Sequence, residues 1–287
     1  MSPNGITGID HVLIAVHDLD AAQMGWTRLG FALSPRGKHL GRGSGNYCIM
    51  FERDYIELFG ITGPEPAAPE YVAFLAAREG GMKLAWATQD AQQASAALTA
   101  RGLHPTAPRA LSRQIELPEG TAVPRFDIVA LPLGETPGLS SFLCAHLTPE
   151  LMRRRAWLMH PNGATGIAGV TVLVDDTAPL LAPYERLFGI ANVAATDTVL
   201  TVRSGHHRLI FATPADFVVM YPELELPSPA HGPIATVTLT SRDLAITSEY
   251  LTSWQIEHES EADGSLVVPA EVANGVVLEF VAERQVS

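Results

Sequence analysis

The chain has 287 residues, 47% of them hydrophobic, enough for more than one core when domains run to about 100 to 150 residues. A net charge of -12 and a pI near 5.2 argue against nucleic acid and anionic membrane as partners, because phosphate would repel such a surface. The two cysteines, Cys48 and Cys144, lie in apolar stretches, and no basic leader or bilayer-length apolar run occurs, so a cytoplasmic protein acting on a small molecule is expected.

In chain order, one pattern recurs four times: an alternating strand, an Asp able to cap a helix, then an amphipathic helix. The copies end at Asp18, Asp90, Asp176 and Asp243. The first three helices reach a C-terminal glycine at Gly30, Gly102 and Gly189, whereas the fourth has Trp254-Gln255-Ile256 there. Further strand-like runs follow each helix, among them Tyr47 to Phe51, Tyr55 to Ile61, Ser140 to Leu147, Leu209 to Ala212 and Gly275 to Val281. Each copy therefore reads as a βαβββ module in an α+β fold, the four modules pairing into two cups. The expected layout is a first cup over 1-151, a linker over 152-164 and a second cup over 165-287. A linking helix is expected within Pro64 to Gly81, and an elaborated loop from His104 to Pro124.

Strand alternation sorts the side chains of each module. Val12, Ile14 and Val16 go to the helix side with Ile56 and Leu58, leaving His11, Leu13, Ala15, His17, Tyr55, Glu57 and Phe59 on the open face. In module two Leu143, Ala145 and Leu147 go to the helix, and Phe142, Cys144 and His146 face inward. His11, Glu57 and His146 thus form an expected metal set. Two imidazoles and a carboxylate suit Fe, Mn, Zn, Ni or Co and leave positions open for water or substrate. The adjacent His206 and His207 are expected on opposite faces of a hairpin, and His160, in a His-Pro-Asn-Gly-Ala turn, is as readily structural as chemical.

Gly8-Ile9-Asp10-His11-Val12, Tyr55-Ile56-Glu57-Leu58, Arg36-Gly37-Lys38-His39, Asn46, His146 to Leu151 and His160 to Ala164 together resemble the glyoxalase-like branch of the vicinal-oxygen-chelate superfamily. That resemblance implies paired βαβββ cups with ligands from the first and last strand of a module. It also implies one divalent metal ion and a small substrate chelated through two vicinal oxygens. Module two has Lys83 where a first-strand ligand would stand, so a four-ligand glyoxalase I site is not expected. Modules three and four have Gly169 and Thr236 there, with Glu279 at a last-strand carboxylate position.

The expected function is a divalent-metal-dependent isomerase or lyase, with His39 as catalytic base and Asn46, Arg36 and Tyr55 contacting substrate. The alternatives are a ring-cleaving non-heme iron dioxygenase, since two His and one carboxylate match that chemistry, and a metal-free binding or resistance protein. The sequence leaves substrate, metal identity and oligomeric state open.

Overall fold

A computed structural model describes residues 4–225 and 233–283; the extreme ends of the two expected cups lie outside the described residues. Module one comprises β1 (Ile6–Ala15), α1 (Leu19–Arg28), β2 (Gly37–His39), β3 (Ser44–Met50) and β4 (Tyr55–Ile61). A bridging helix, α2 (Pro69–Ala77), leads to β5 (Gly80–Thr88), α3 (Ala91–Ala100), β6 (Arg109–Leu117), β7 (Gly120–Ala122), β8 (Arg125–Leu131) and β9 (Ser140–His146). Module three is β10 (Ala164–Leu173), α4 (Leu181–Phe188), β11 (Val193–Thr196), β12 (Val199–Ser204) and β13 (His207–Ala212), followed by a second bridging helix, α5 (Pro214–Met220). Module four is β14 (Ile234–Ser241), α6 (Leu244–Ser253), β15 (Glu259–Ser260), β16 (Leu266–Val268) and β17 (Val277–Ala282).

The repeated aspartates act as helix caps. Asp18, Asp90 and Asp243 accept backbone N–H groups at the starts of α1, α3 and α6, while Asp176 accepts Ala178 N–H at a 3-10 turn before α4. Two segments depart from expectation. The stretch from His104 to Pro124 holds strands β6 and β7, not only loop, because inward-facing Arg113 interrupts the apolar alternation that would have marked β6. The linking helix is shorter than Pro64 to Gly81, since β5 already begins at Gly80. Leu147, expected on the helix side, lies beyond the end of β9 and is exposed.

Pairing runs β1–β4–β3–β2–β6–β8–β9–β5 and returns to β1, so the first cup is a closed eight-stranded barrel. A barrel of this size has room for one small ligand. The second follows β11–β12–β13–β10–β14–β17–β16–β15 and, among the described residues, its end strands do not pair. Its interior is filled by Phe217 within α5 and Tyr221 just after it, packed on Ala235, Val267 and Val277. In the first cup α2 only rests on the rim through Tyr71, Phe74 and Leu75, and no residue of that helix is buried.

One core joins the two halves. Trp26 is fully buried against Phe31, and its Nε1–H donates to Asn274 in module four. Trp86 packs on Phe188 with ring centroids 4.8 Å apart, and Asn162 bonds the carbonyl of Leu29. His160 is part of this seam, bridging Ala32 N–H and the Met50 carbonyl at 3.0 Å each. Its role in the fold is structural.

Candidate active site in the first cup

The barrel encloses a cavity of about 960 Å³ whose floor carries His11, His39, Asn46, Tyr55, Glu57 and Arg113. β1 supplies His11 and β4 supplies Glu57. These parallel strands pair His11 with Tyr55 and Leu13 with Glu57, so alternation turns both side chains inward. His11 Nε2 stands 3.4 Å from Glu57 Oε2, and the rings of His11 and Tyr55 stack at 4.4 Å. His39, at the end of β2, places Nε2 3.6 Å from the other Glu57 oxygen and Nδ1 3.1 Å from the Ser44 hydroxyl. Asn46 donates a short hydrogen bond to Glu57. A Cβ on Gly37 would fall 2.2 Å from Asn46 Oδ1, so the glycine leaves the room that amide occupies.

Alternation alone would send Asp10 away from His11, but an irregularity in the β1–β5 pairing between Ile9 and His11 turns it to the same side. Asp10 Oδ2 accepts the His11 Nδ1 proton at 2.6 Å, and Oδ1 accepts from His146 Nε2 at 3.0 Å. Burial opposes ionisation of Asp10, yet the His146 charge and the bonds from both imidazoles hold its carboxyl well below the usual range. With Nδ1 protonated and held, His11 presents its Nε2 lone pair to the cavity. Glu57 is also held below its ordinary value: burial works against this, and His11, His39, Arg113 and the Asn46 bond outweigh it. Burial lowers His39 to about 4, leaving a neutral imidazole near pH 7.

The expected metal set does not come together as a triad. His11 and Glu57 are neighbours, whereas His146 has its Nε2 committed to Asp10. The reason is register: Ala85 pairs with Phe142 as Leu13 pairs with Glu57, so Phe142, not His146, occupies the last-strand position of module two. Arg36 lies outside the cup, paired with Asp20 at 3.1 Å. Tyr55 and Asn46 line the cavity, with Asn46 also holding Glu57. Asp10 and Arg113 escaped the sequence reading.

Among the described residues, two other clusters bring three ligand-type side chains together, Asp10/Cys144/His146 and Asp54/His206/His207. In the first, the Asp10 oxygens already accept from imidazoles, and burial keeps the Cys144 thiol protonated far above its usual range. In the second, His206 and His207 both face Asp54 rather than opposite sides, because His206 sits in the turn before β13. His207 Nδ1 accepts Ile9 N–H at 3.0 Å, so its Nε2 carries the proton, 3.1 Å from Asp54. That cluster fastens β1 to the β12–β13 hairpin. In the second cup Glu279 stands where Glu57 does, but it accepts hydroxyl protons from Thr238 and Tyr221, and burial raises its carboxyl.

The sequence profile of the glyoxalase-like domain family matches residues 9–188. No curated protein sequence matches the chain significantly. Among solved structures, a hypothetical protein from Staphylococcus aureus aligns with TM-score 0.66 at 12% identity, covering 96% of this chain and 99% of that one. A catechol 2,3-dioxygenase aligns with TM-score 0.58 at 11% identity over 98% of this chain and 89% of its own. A mutant 4-hydroxymandelate synthase from Streptomyces coelicolor gives 0.57 at 10% identity, over 97% and 93%. At these identities the likeness is one of fold. The profile match spans more than half of the sequence, and the chain belongs to the glyoxalase-like domain family of the vicinal-oxygen-chelate superfamily.

Proposed function

We propose that the first cup is the active site of a divalent-metal-dependent isomerase or lyase acting on a small substrate with two vicinal oxygens. The observation that carries this is the His11–Glu57 pair. Asp10 fixes the His11 tautomer, and the free Nε2 faces a buried carboxylate oxygen at 3.4 Å. Two donors on tetrahedral bonds of ~2.1 Å sit about 3.4 Å apart, so the pair fits two corners of a metal site. His11 and Glu57 would hold the ion. When bound, it supplies Lewis-acid polarisation of the substrate's oxygens.

The remaining chemistry belongs to the chain. Neutral His39 is placed to accept a proton at Nε2 from a carbon next to the polarised carbonyl, and the Glu57 oxygen 3.6 Å away stabilises the imidazolium that results. Asn46 keeps Glu57 in place, while Tyr55 covers the His11 ring and keeps water from it.

A second reading, a ring-cleaving iron dioxygenase, draws on the two imidazoles, His11 and His39, that face opposite oxygens of Glu57. Incubating metal-loaded protein in deuterium oxide with a panel of α-hydroxy and α-oxo carbonyl compounds and, in parallel, with catechols separates the two. The expected result is deuterium at carbon without oxygen consumption, reduced about 10²- to 10⁴-fold in His39→Ala. Oxygen uptake coupled to catechol cleavage, with no exchange, would transfer the assignment to the dioxygenase.

A further inference from the structure

The cavity floor contains a charge that has no direct ion pair with either the metal pair or the base. Arg113, on β6 opposite His39, is only 3% exposed. Its guanidinium donates to Cys48 Sγ at 2.9 Å and Met152 Sδ at 2.8 Å, and its Nε has no partner. Thioether and thiol sulfurs are weak acceptors, and a guanidinium cannot shed its charge. Among the described residues no carboxylate lies within ion-pair distance of Arg113: Glu57 is engaged by Asn46, His11 and His39, and Asp10 by His11 and His146. A buried charge without a direct ion pair is unfavourable; the Phe126 ring, 6.0 Å from the guanidinium carbon, and the more distant Glu57 offset it only in part, and the planar fork of arginine matches a carboxylate.

The rest of the cavity agrees with this. Its wall is apolar, with Leu13, Phe59, Leu111, Phe126 and Phe142, and the further cations Arg42, Arg78, Lys83 and Arg109 outnumber the carboxylates Glu70 and Asp175 that also line it. In a protein of net charge -12, these cations offset the repulsion an anion would otherwise meet on approach.

We infer that Arg113 is the anion receptor of the first cup, and that the substrate is an amphipathic carboxylate whose carboxylate pairs with Arg113 while its aryl or alkyl body packs on the apolar wall. This deepens the proposed function, since it names the substrate class for the same site, yet the binding itself does not depend on a metal.

The test compares 4-phenylbutyrate with its neutral amide by calorimetry, using the protein as purified and the same protein after chelation. Wild type should bind the carboxylate at least about tenfold more tightly than the amide in both states, since charge-assisted bidentate pairing exceeds a neutral hydrogen bond. Arg113→Met, which removes the charge and keeps much of the side-chain volume, should bind the two alike. Arg113→Lys, which keeps the charge without the fork, should reduce the preference, and it carries the test should the methionine variant melt low. The His11→Ala variant should retain the preference even with its metal lost, which separates failure of this inference from failure of the metal assignment. Equal affinity for both probes in wild type, no carboxylate binding in the millimolar range, or an unchanged preference in both Arg113 variants would overturn it.

Discussion

Asp10 is the residue that orders the histidines on the floor of the cup. One carboxylate accepts protons from His11 and His146, so it fixes the tautomer of the first and the orientation of the second. Asp10→Asn is predicted to weaken metal affinity or activity about 10- to 100-fold, as loss of such outer partners does, with an unchanged circular dichroism spectrum. Metal titration checks it, and unchanged affinity would remove Asp10 from the mechanism. That His11 and Glu57 share the inward face was legible in the sequence because simple alternation governs their part of β1 and β4. Asp10 was hidden by the β1–β5 irregularity, which reverses the parity of one residue and leaves no trace in composition. Arg113 was hidden for a different reason: an inward-facing charge breaks the apolar period by which β6 would have been found. His146 shares parity with the true last-strand position, Phe142, and alternation cannot distinguish residues four apart on one face.

At the level of elements, the two bridging helices have diverged. Helix α5 is sunk into the second cup through Phe217, whereas α2 lies over the rim of the first with no buried residue. Truncating the plug, Phe217→Ala, is predicted to cost about 3–5 kcal/mol, the usual penalty for an emptied aromatic site, and to leave first-cup ligand affinity unchanged. Phe74→Ala in α2 should do the reverse, with a stability change within ~1 kcal/mol because the side chain is only half-buried, and a weakened ligand affinity because Phe74 lines the cavity. Denaturant melts and ligand titrations on both variants decide this, and equal stability losses would contradict the distinction. The four strand-Asp-helix repeats foretold these modules, since capping and alternation are local. Barrel closure was not legible, because it depends on β2 meeting β6 far along the chain, with Gly37 opposite Ile115.

For the whole molecule, one core spans both cups, and His39 at the site and His160 at the seam are both buried. Burial lowers His39 and His160 to about 4 from an ordinary 6.5. The unfolded chain therefore takes up protons at these groups before the folded one does, and stability present above pH 6.5 is lost as pH falls towards 4. Each histidine can contribute up to ~3 kcal/mol to that loss. His160→Gln should flatten the profile in this window, and an equally steep profile would show that His160 is not part of it. The central claim, that one cup holds one metal through His11 and Glu57, is tested most directly by elemental analysis of protein purified without chelator. The predicted result is one equivalent of divalent transition metal per chain in wild type and in His146→Phe, and its loss in both His11→Ala and Glu57→Ala. Wild-type protein that carries no metal and takes none up on titration would contradict it, and would leave the cup a metal-free binding site.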